Sequence, residues 1–285
     1  MNPVGTTRFK DRTLAIATMH GKETVISPLM ETSLQVHCRF VPGINTDLLG
    51  TFSGEIERKQ DPLETLRLKC ELGMNLSGAD LVIASEGSFG QHPQVFFAKA
   101  NEELVMIKDR INQLEIVANY LTTETNFDGS EATDLTQVMA FAEKALFPSH
   151  ALILKEHQQA KTGIEKGITQ TEHLLHVAGK LLKKSGKLWI ETDMRALYNP
   201  TRMLAIQQAT RNLIQKLESS CPSCHFPGFW ISRVKDGLPC KQCGAATRST
   251  YSHVYQCLHC KHEKEIEFPH SRYFEDPMYC DICNP

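Results

Sequence analysis

The residues with the clearest chemical potential are eight cysteines near the carboxyl end, arranged as four C-x-x-C pairs: Cys221, Cys224, Cys240, Cys243, Cys257, Cys260, Cys280 and Cys283. Two thiolates separated by two residues can bind one tetrahedral ion from a tight turn, and two such pairs complete a closed shell of four sulfurs. Eight thiolates therefore predict two structural zinc ions with no open coordination position. We expect the chain to be cytoplasmic, where disulfides are rare, so the metal interpretation is favoured over disulfides.

The spacing does not decide which pairs share an ion. Successive pairs are separated by 15, 13 and 19 residues, enough for one or two short strands each. Cys221–Cys243 and Cys257–Cys283 could each form a zinc ribbon, or the pairs could interleave, the first with the third and the second with the fourth. A nearby histidine could also replace a cysteine; the candidates are His225, His253, His259, His262 and His270.

A second candidate site follows an apolar stretch, Leu81 to Ala84, which is typical of a buried strand. After it we predict a small polar loop at the edge of a sheet, where ligands commonly bind in α/β proteins. The loop would contribute a carboxylate, two hydroxyls and two glycines: Ser85, Glu86, Gly87, Ser88 and Gly90. The simpler alternative is a glycine-rich turn with a solvated glutamate.

Cationic residues at predicted helix starts could bind an anion at the same edge. The sequence His20-Gly21-Lys22 lies between a predicted strand, 13–18, and a predicted helix, 23–34, which is an arrangement suited to phosphate groups. Arg195 and Arg202 flank the start of a long predicted helix, 200–218, and could hold the far end of an anionic ligand. The alternatives are a solvated Lys22 and arginines paired with local carboxylates such as Glu191 and Asp193.

Two capping patterns in the sequence mark the starts of further helices. Asp61, Pro62 and Glu64 form the pattern of an N-cap followed by a capping box, and Thr169 with Glu172 repeats it before another apolar stripe. Glu64 is accordingly either a helix cap or a ligand of the metal or water in a catalytic site. Between these helices we predict strands near 95–100, 103–108 and 113–122, with a hairpin turn at residues 100–102.

These elements predict an α/β domain over residues 10–218, with a mixed, twisted central sheet flanked by helices. A parallel pairing of the strand at 13–18 with the strand at 81–84 is required by this fold. A small zinc-ribbon domain with two zinc ions is predicted over 219–285. A flexible connection is expected at 161–167.

Charge and hydropathy restrict the possible partners. The 285 residues are 41% hydrophobic, the formal net charge is -2, and no apolar run is long enough for a membrane span. The cysteine-rich tail contains seven Lys or Arg and seven Asp or Glu residues, and four thiolates around each zinc ion make it acidic overall. Contact with a protein partner is therefore favoured over nucleic acid, which requires a basic surface.

Two resemblances can be stated on particular residues. The Asn-Pro-Thr-Arg-Met stretch at 199–203 and the motifs around the cysteines, ending in Cys-x-x-Cys-Asn-Pro, are similar to an uncharacterised bacterial family with no known activity. Residues 14–90 resemble the Maf and inosine-triphosphate pyrophosphatase group of nucleotide hydrolases. The matching positions are Lys22, Glu64 with Lys69, and Ala79-Asp80-Leu81-Val82-Ile83 ending at Glu86.

This second resemblance implies hydrolysis of a nucleotide-like phosphoanhydride with Mg²⁺ as an additional cofactor. In this hypothesis Lys22, helped by the backbone of His20 and Gly21, binds phosphate, and Glu64 and Glu86 hold the metal or the water. The alternative is a binding or adaptor protein whose tail contacts a protein or nucleic-acid partner.

Overall fold

The computed structural model describes residues 4–44 and 61–285. Its contacts divide the chain into two compact units. The larger unit is Asp11–Leu213, and the smaller unit joins the segment before Asp11 to Ile214–Pro285. The sequence over 42–54 is rich in turn residues and predicts a connection between elements, and most of that stretch lies outside the described residues.

The first sheet of the larger unit contains five strands in the order β2-β1-β3-β4-β5. Their bounds are β1 Thr13–Ala17, β2 His37–Phe40, β3 Leu81–Gln91, β4 Lys99–Asp109 and β5 Leu114–Thr122. Strand β1 pairs in parallel with β2 and β3, whereas β3, β4 and β5 are antiparallel. The predicted mixed sheet is therefore confirmed, including the parallel pairing of β1 with β3, in which Ala17 lies opposite Ala84.

Two helices belong to the parallel part of this sheet: α1 (Glu23–Leu34) follows β1, and α2 (Pro62–Ser77) precedes β3. The Asp61 side chain accepts hydrogen bonds from the backbone N–H groups of Leu63 and Glu64, as an N-cap residue does. Apolar residues at helical spacing on α2 pack against the sheet residues Ala15, Ala17, Val82 and Ala84. The hydrophobic core on this face of the sheet is thus formed by α2.

The prediction that Ser85–Gly90 is a loop was wrong. Strand β3 continues to Gln91, because β4 pairs with it along its whole length, from Leu81 opposite Asp109 to Gln91 opposite Lys99. For the same reason residues 100–102 are not a hairpin turn but part of the single long strand β4. Backbone pairing with a long antiparallel neighbour has overridden the turn preference of the two glycines.

A second, antiparallel sheet of four strands follows, in the order β6-β9-β7-β8. Its strands are β6 Gly129–Ala132, β7 Leu152–Lys155, β8 Glu165–Ile168 and β9 Leu188–Thr192. Helices α3 (Leu135–Lys144) and α4 (Thr171–Ser185) pack on it, and α5 (Pro200–Glu218) comes after it. Strand β8 replaces part of the flexible connection expected at 161–167.

The second predicted capping box is also corrected. Helix α4 begins one residue later than expected, with Gln170 at the N-cap and no side-chain hydrogen bond to the cap. By contrast, Gly186 ends α4 in the left-handed conformation, as its sequence position indicates.

The smaller unit contains an antiparallel sheet of three strands, β10 (Trp230–Asp236), β11 (Thr250–Gln256) and β12 (Glu263–Glu267). Two ion pairs join the outer strands across β11, between Arg233 and Glu263 and between Lys235 and Glu265. In the described part of the chain, no helix has the length and apolar character needed to span a bilayer.

The contact of α2 with the sheet depends on a glycine. A Cβ atom at Gly73 would lie 2.7 Å from the Ala17 Cβ and 3.0 Å from the Val82 Cγ1. We expect Gly73→Ala to lower the free energy of unfolding by about 1–3 kcal/mol, because the extra methyl group overpacks this contact. The measurement is urea unfolding.

Gly179 of α4 provides the matched control. A Cβ atom there would meet nothing within 4 Å. Gly179→Ala should therefore stabilise the protein by about 0.5–1 kcal/mol, the usual gain in a helix. Equal effects of the two substitutions would contradict the close packing of α2 on the sheet.

Candidate functional site

The eight cysteines of the smaller unit form two groups of four. One contains Cys221, Cys224, Cys257 and Cys260, and the other Cys240, Cys243, Cys280 and Cys283. Within each group all four sulfurs lie within 4.8 Å of one another. The pairs therefore interleave, and the alternative of two sequential ribbons is excluded in this structure.

The distances between sulfurs fit tetrahedral zinc. Four contacts between the pairs measure 3.6 to 3.9 Å, for example 3.7 Å between Cys221 Sγ and Cys260 Sγ. A Zn–S bond of about 2.3 Å in a tetrahedron implies sulfurs separated by about 3.8 Å. The two four-cysteine groups could thus hold two zinc ions, and four sulfurs per ion leave no position for a substrate.

The four C-x-x-C turns share one backbone arrangement. In each turn the residue after the second cysteine donates its N–H to the carbonyl oxygen of the first; these donors are His225, Gly244, Lys261 and Asn284. In three of the turns a further N–H points at a cysteine sulfur at 3.4 Å. Such N–H groups stabilise thiolate charge, which suits metal binding.

The three strands explain why the pairs interleave. Strand β10 leads from the first pair to the second, β11 from the second to the third, and β12 from the third to the fourth. Since neighbouring strands are antiparallel, the first and third pairs lie at one end of the sheet and the second and fourth at the other. Each strand therefore connects one four-cysteine group to the other.

A second cluster lies in the larger unit, where β1 ends and β3 continues. Ser85 is the first residue of β3 beyond the end of β1, and two buried lysines meet it. The Lys22 Nζ donates to the Ser85 hydroxyl at 3.0 Å, and the Lys69 Nζ donates to the Ser85 carbonyl oxygen at 3.3 Å. Lys69 also forms an ion pair with Glu86.

The other face of the same strand carries a second buried ion pair. Because side chains alternate along a strand, Ser85 and Gly87 lie on the face opposite to Glu86. Arg202 of α5 reaches Gly87 and forms an ion pair with Glu103, with its Nε donating to Glu103 Oε1 at 2.7 Å. A Cβ atom at Gly87 would lie 2.5 Å from both the Arg202 Nη2 and the Glu103 Oε1.

Among the residues that the structure describes, the cluster contains three cations and two carboxylates, all at most 6% exposed: Lys22, Lys69, Arg202, Glu86 and Glu103. Each carboxylate is paired with Lys69 or Arg202. Among the described residues, Lys22 makes its polar contact with the hydroxyl of Ser85. Lys22 is accordingly the cation whose charge is in excess.

The pKa of Lys22 reflects this position. Burial is the main cause that lowers it, and the nearby charges of Arg202 and Lys69 lower it further, to about 7. Glu103 and Glu86 act in the opposite direction. Near neutral pH, Lys22 is thus balanced between its charged and neutral forms.

Three buried side-chain atoms of the described residues have no hydrogen-bond partner: Thr18 Oγ1, Glu23 Oε2 and Asn101 Oδ1. The first two lie at either end of the turn between β1 and α1 that also carries Lys22, and the third lies two residues before Glu103 on β4. Unsatisfied buried polar atoms are few in native proteins and each requires an explanation, such as a bound molecule. All three belong to the segments that build the cluster.

Three further residues of the predicted site, His20, Gly21 and Ser88, lie close to this cluster in the chain. His20 and Gly21 lie in the β1–α1 turn with positive φ angles of 65° and 72°, and a Cβ atom at Gly21 would lie 3.4 Å from the Leu197 side chain. The segment before α5 therefore meets this turn, as the functional hypothesis requires. Ser88 lies on β3 on the same face as Glu86.

Glu64 and Arg195 are not brought into the cluster. The Glu64 side chain is 50% exposed and pairs with Arg67. Arg195 pairs with the buried Asp193, with Nε to Oδ1 at 3.0 Å, and its guanidinium stacks over the Tyr198 ring. We therefore drop Glu64 from the candidate site and regard Arg195 as a neighbour of it.

Two buried residues were missed in the sequence, Glu103 and Asn101. The structure buries alternate positions of β4, namely Asn101, Glu103, Val105 and Ile107. Because Asn101 and Glu103 are polar, residue type does not reveal this alternation, and the predicted turn at 100–102 directed attention away from it.

The helical spacing of Leu66, Cys70 and Gly73 predicts that Cys70 is a core residue. The structure agrees, since Cys70 is fully buried and burial raises the pKa of its thiol to about 12.

The fold and the two four-cysteine groups define an α/β protein with a C-terminal region consistent with zinc ribbons. Residues 69–285 match the model of a family described as a domain of unknown function, DUF6671, and the chain belongs to this family. A search of curated proteins found no match.

Interleaving predicts how metal content responds to paired substitutions. In the variant with Cys221→Ser and Cys257→Ser both changes affect one group, so one of two zinc ions should remain. In the variant with Cys221→Ser and Cys243→Ser each group loses a ligand, so both ions should be lost. Metal analysis of the purified proteins measures this, and the reverse order would support sequential ribbons.

The buried Lys22 predicts a dependence of stability on pH. An unfolded lysine keeps its proton to about pH 10.4, whereas folded Lys22 loses it near pH 7. Between these values the unfolded state binds more protons, so this group makes the protein more stable as pH rises. Relative to Lys22→Met, the wild type should gain up to about 1.4 kcal/mol per pH unit between about pH 7 and 9.

Urea unfolding at several pH values measures this difference. Lys180 is exposed on α4, and Lys180→Met should show no such dependence relative to the wild type. A constant difference between wild type and Lys22→Met across this range would show that the Lys22 pKa is not depressed.

Proposed function

We propose that the larger unit binds the phosphate groups of a nucleotide-like ligand at the end of β1, and that it hydrolyses a phosphoanhydride bond of that ligand with Mg²⁺. The observation that carries this proposal is the excess of buried positive charge. In the described part of the chain, three cations and two carboxylates share the cluster, and the cation in excess, Lys22, contacts a hydroxyl group.

A buried charge without a counter-charge is strongly unfavourable, and it is relieved either by a change of protonation or by a bound ion of opposite sign. Loss of the Lys22 proton achieves the first, and an anion beside Lys22 and Lys69 would achieve the second. The N-terminus of α1, which begins at Glu23, supplies further positive electrostatic potential for a phosphate group.

Hydrolysis would proceed by attack of a water oxygen on phosphorus. The new P–O bond forms as the anhydride P–O bond breaks, the water proton passes to a carboxylate, and the leaving phosphate takes the electron pair. In this scheme Glu86 receives the proton or helps to hold the metal, and Lys22 stabilises the leaving oxygen. Positioning and electrostatic stabilisation supply most of the rate in such reactions.

Mg²⁺ binding would require a change of partners. Both carboxylates of the cluster are paired with cations, and Mg²⁺ is usually held by one or two carboxylates together with substrate phosphates. If Lys69 turns from Glu86 to a phosphate group, Glu86 becomes available to the metal. The ligand would thus assemble the metal site.

The resemblance of residues 14–90 to the Maf and inosine-triphosphate pyrophosphatase group agrees with three of these roles. Lys22, Lys69 and Glu86 are among its matching positions, and all three belong to the buried cluster. Glu64, the fourth, lies outside it.

The test is phosphate or pyrophosphate release from a panel of standard and modified nucleotides with Mg²⁺. Glu86→Gln should reduce turnover by about 10² or more, since it removes the proton acceptor. Glu64→Gln makes the same chemical change at an exposed position and should leave turnover unchanged. Thermal unfolding of both variants separates loss of catalysis from loss of folding.

Absence of release from the whole panel would overturn the hydrolase proposal. It would favour a second candidate, a protein-binding function of the tail. One observation supports that candidate: large apolar side chains near the second four-cysteine group are between 58% and 70% exposed, namely Tyr273, Phe274, Met278, Tyr279 and Ile282.

A further inference from the structure

Asn101 lies beside the cation cluster and has an unsatisfied side-chain oxygen. It is 1% exposed, and its Oδ1 has no hydrogen-bond partner among the described residues. It precedes Glu103 by two residues on β4, so both side chains lie on one face of the sheet. Its direct neighbour on β3 is Phe89.

Phe89 connects this position to Arg202. Its ring centroid lies 5.3 Å from the guanidinium carbon of Arg202 and 5.5 Å from the ring centroid of Phe127. An amide acceptor, two aromatic rings and a buried arginine therefore lie close together. This combination suits a flat, polar group better than it suits a second phosphate.

The unsatisfied oxygen of Asn101 lowers the stability of the folded state. A buried acceptor that lacks a donor destabilises the folded state, and an apolar side chain of the same shape avoids this loss. Asparagine is therefore unfavourable at this position unless a donor from outside the described residues reaches it.

The separation of the two ends limits the size of the ligand. From Ser85, which contacts the two lysines, to Phe89 is four residues of β3, or about 13 Å at the rise of a strand. Phosphate and pyrophosphate are too short to reach both ends. A nucleoside diphosphate or triphosphate has the required length, and its base can stack on an aromatic ring.

We propose that Asn101 recognises the nucleoside end of a nucleoside diphosphate or triphosphate, accepting a hydrogen bond from an N–H or O–H group beside Phe89. This inference rests on the proposed function, because the phosphate groups near Lys22 and Lys69 fix the other end of the ligand. Asn101 thus selects the nucleoside, and the lysines bind its phosphates.

The experiment compares binding of inorganic tripolyphosphate and of a panel of nucleoside triphosphates, without Mg²⁺ so that no turnover competes. Asn101→Leu should leave the tripolyphosphate affinity unchanged and weaken the best nucleotide by about tenfold, the effect of one lost hydrogen bond. It should unfold at the same temperature as the wild type or higher. Asn119 is exposed on β5, and Asn119→Leu is the matched control with no expected effect.

Each other outcome is decisive. Equal nucleotide affinity in wild type and Asn101→Leu would overturn the role of Asn101 and leave the phosphate site intact. Equal weakening of tripolyphosphate and nucleotides, or unfolding of both Asn101→Leu and Asn101→Ala, would assign Asn101 a structural role instead. Failure of the wild type to bind tripolyphosphate would refute the phosphate site, and this inference would fail with it.

Discussion

Burial of charge is the constraint on which the larger unit depends. Lys22, Lys69 and Arg202 come from three different helices or their first turns, and all three charged groups reach β3 in a region from which water is largely excluded. Each charged group stays ionised in such surroundings through a partner of opposite sign. The pairs with Glu86 and Glu103 satisfy two of the cations, and the position of the third determines both the pKa of Lys22 and the chemistry available there.

Each of these cations lies on the same helix face as the buried apolar residues of its own helix. Lys22 stands four residues before Ile26 and eight before Met30, Lys69 lies between Leu66 and Cys70, and Arg202 precedes Ala205 and Ile206. Residues three or four apart share a helix face, so each cation faces the core and not the solvent. A sequence that puts charges at three core-facing positions sacrifices stability there, which is the usual situation at a functional site.

This pattern also shows how much the sequence could predict. Helix bounds at Glu23–Leu34 and Pro200–Glu218 and the cap at Asp61 follow from local signals, and the structure agrees with them. The parallel pairing of β1 with β3 follows instead from the predicted α/β fold, and the structure agrees with it as well. The extent of β3 and β4 could not be predicted in the same way, because it depends on pairing between distant segments. That error placed Ser85 and Glu86 in one loop, whereas strand geometry sends their side chains to opposite faces.

Which cysteine pairs share a metal site was left open for a related reason. The number of residues between two C-x-x-C motifs does not show in which direction the intervening strand runs. Once each spacer holds one strand and neighbouring strands are antiparallel, alternate pairs must meet at the same end of the sheet. Metal binding and sheet formation then depend on each other: an ion at either end joins segments that the strands bring together, and each strand is fixed at both ends. In a unit this small, two zinc ions bound in closed sites would stabilise what a modest apolar core could not stabilise alone.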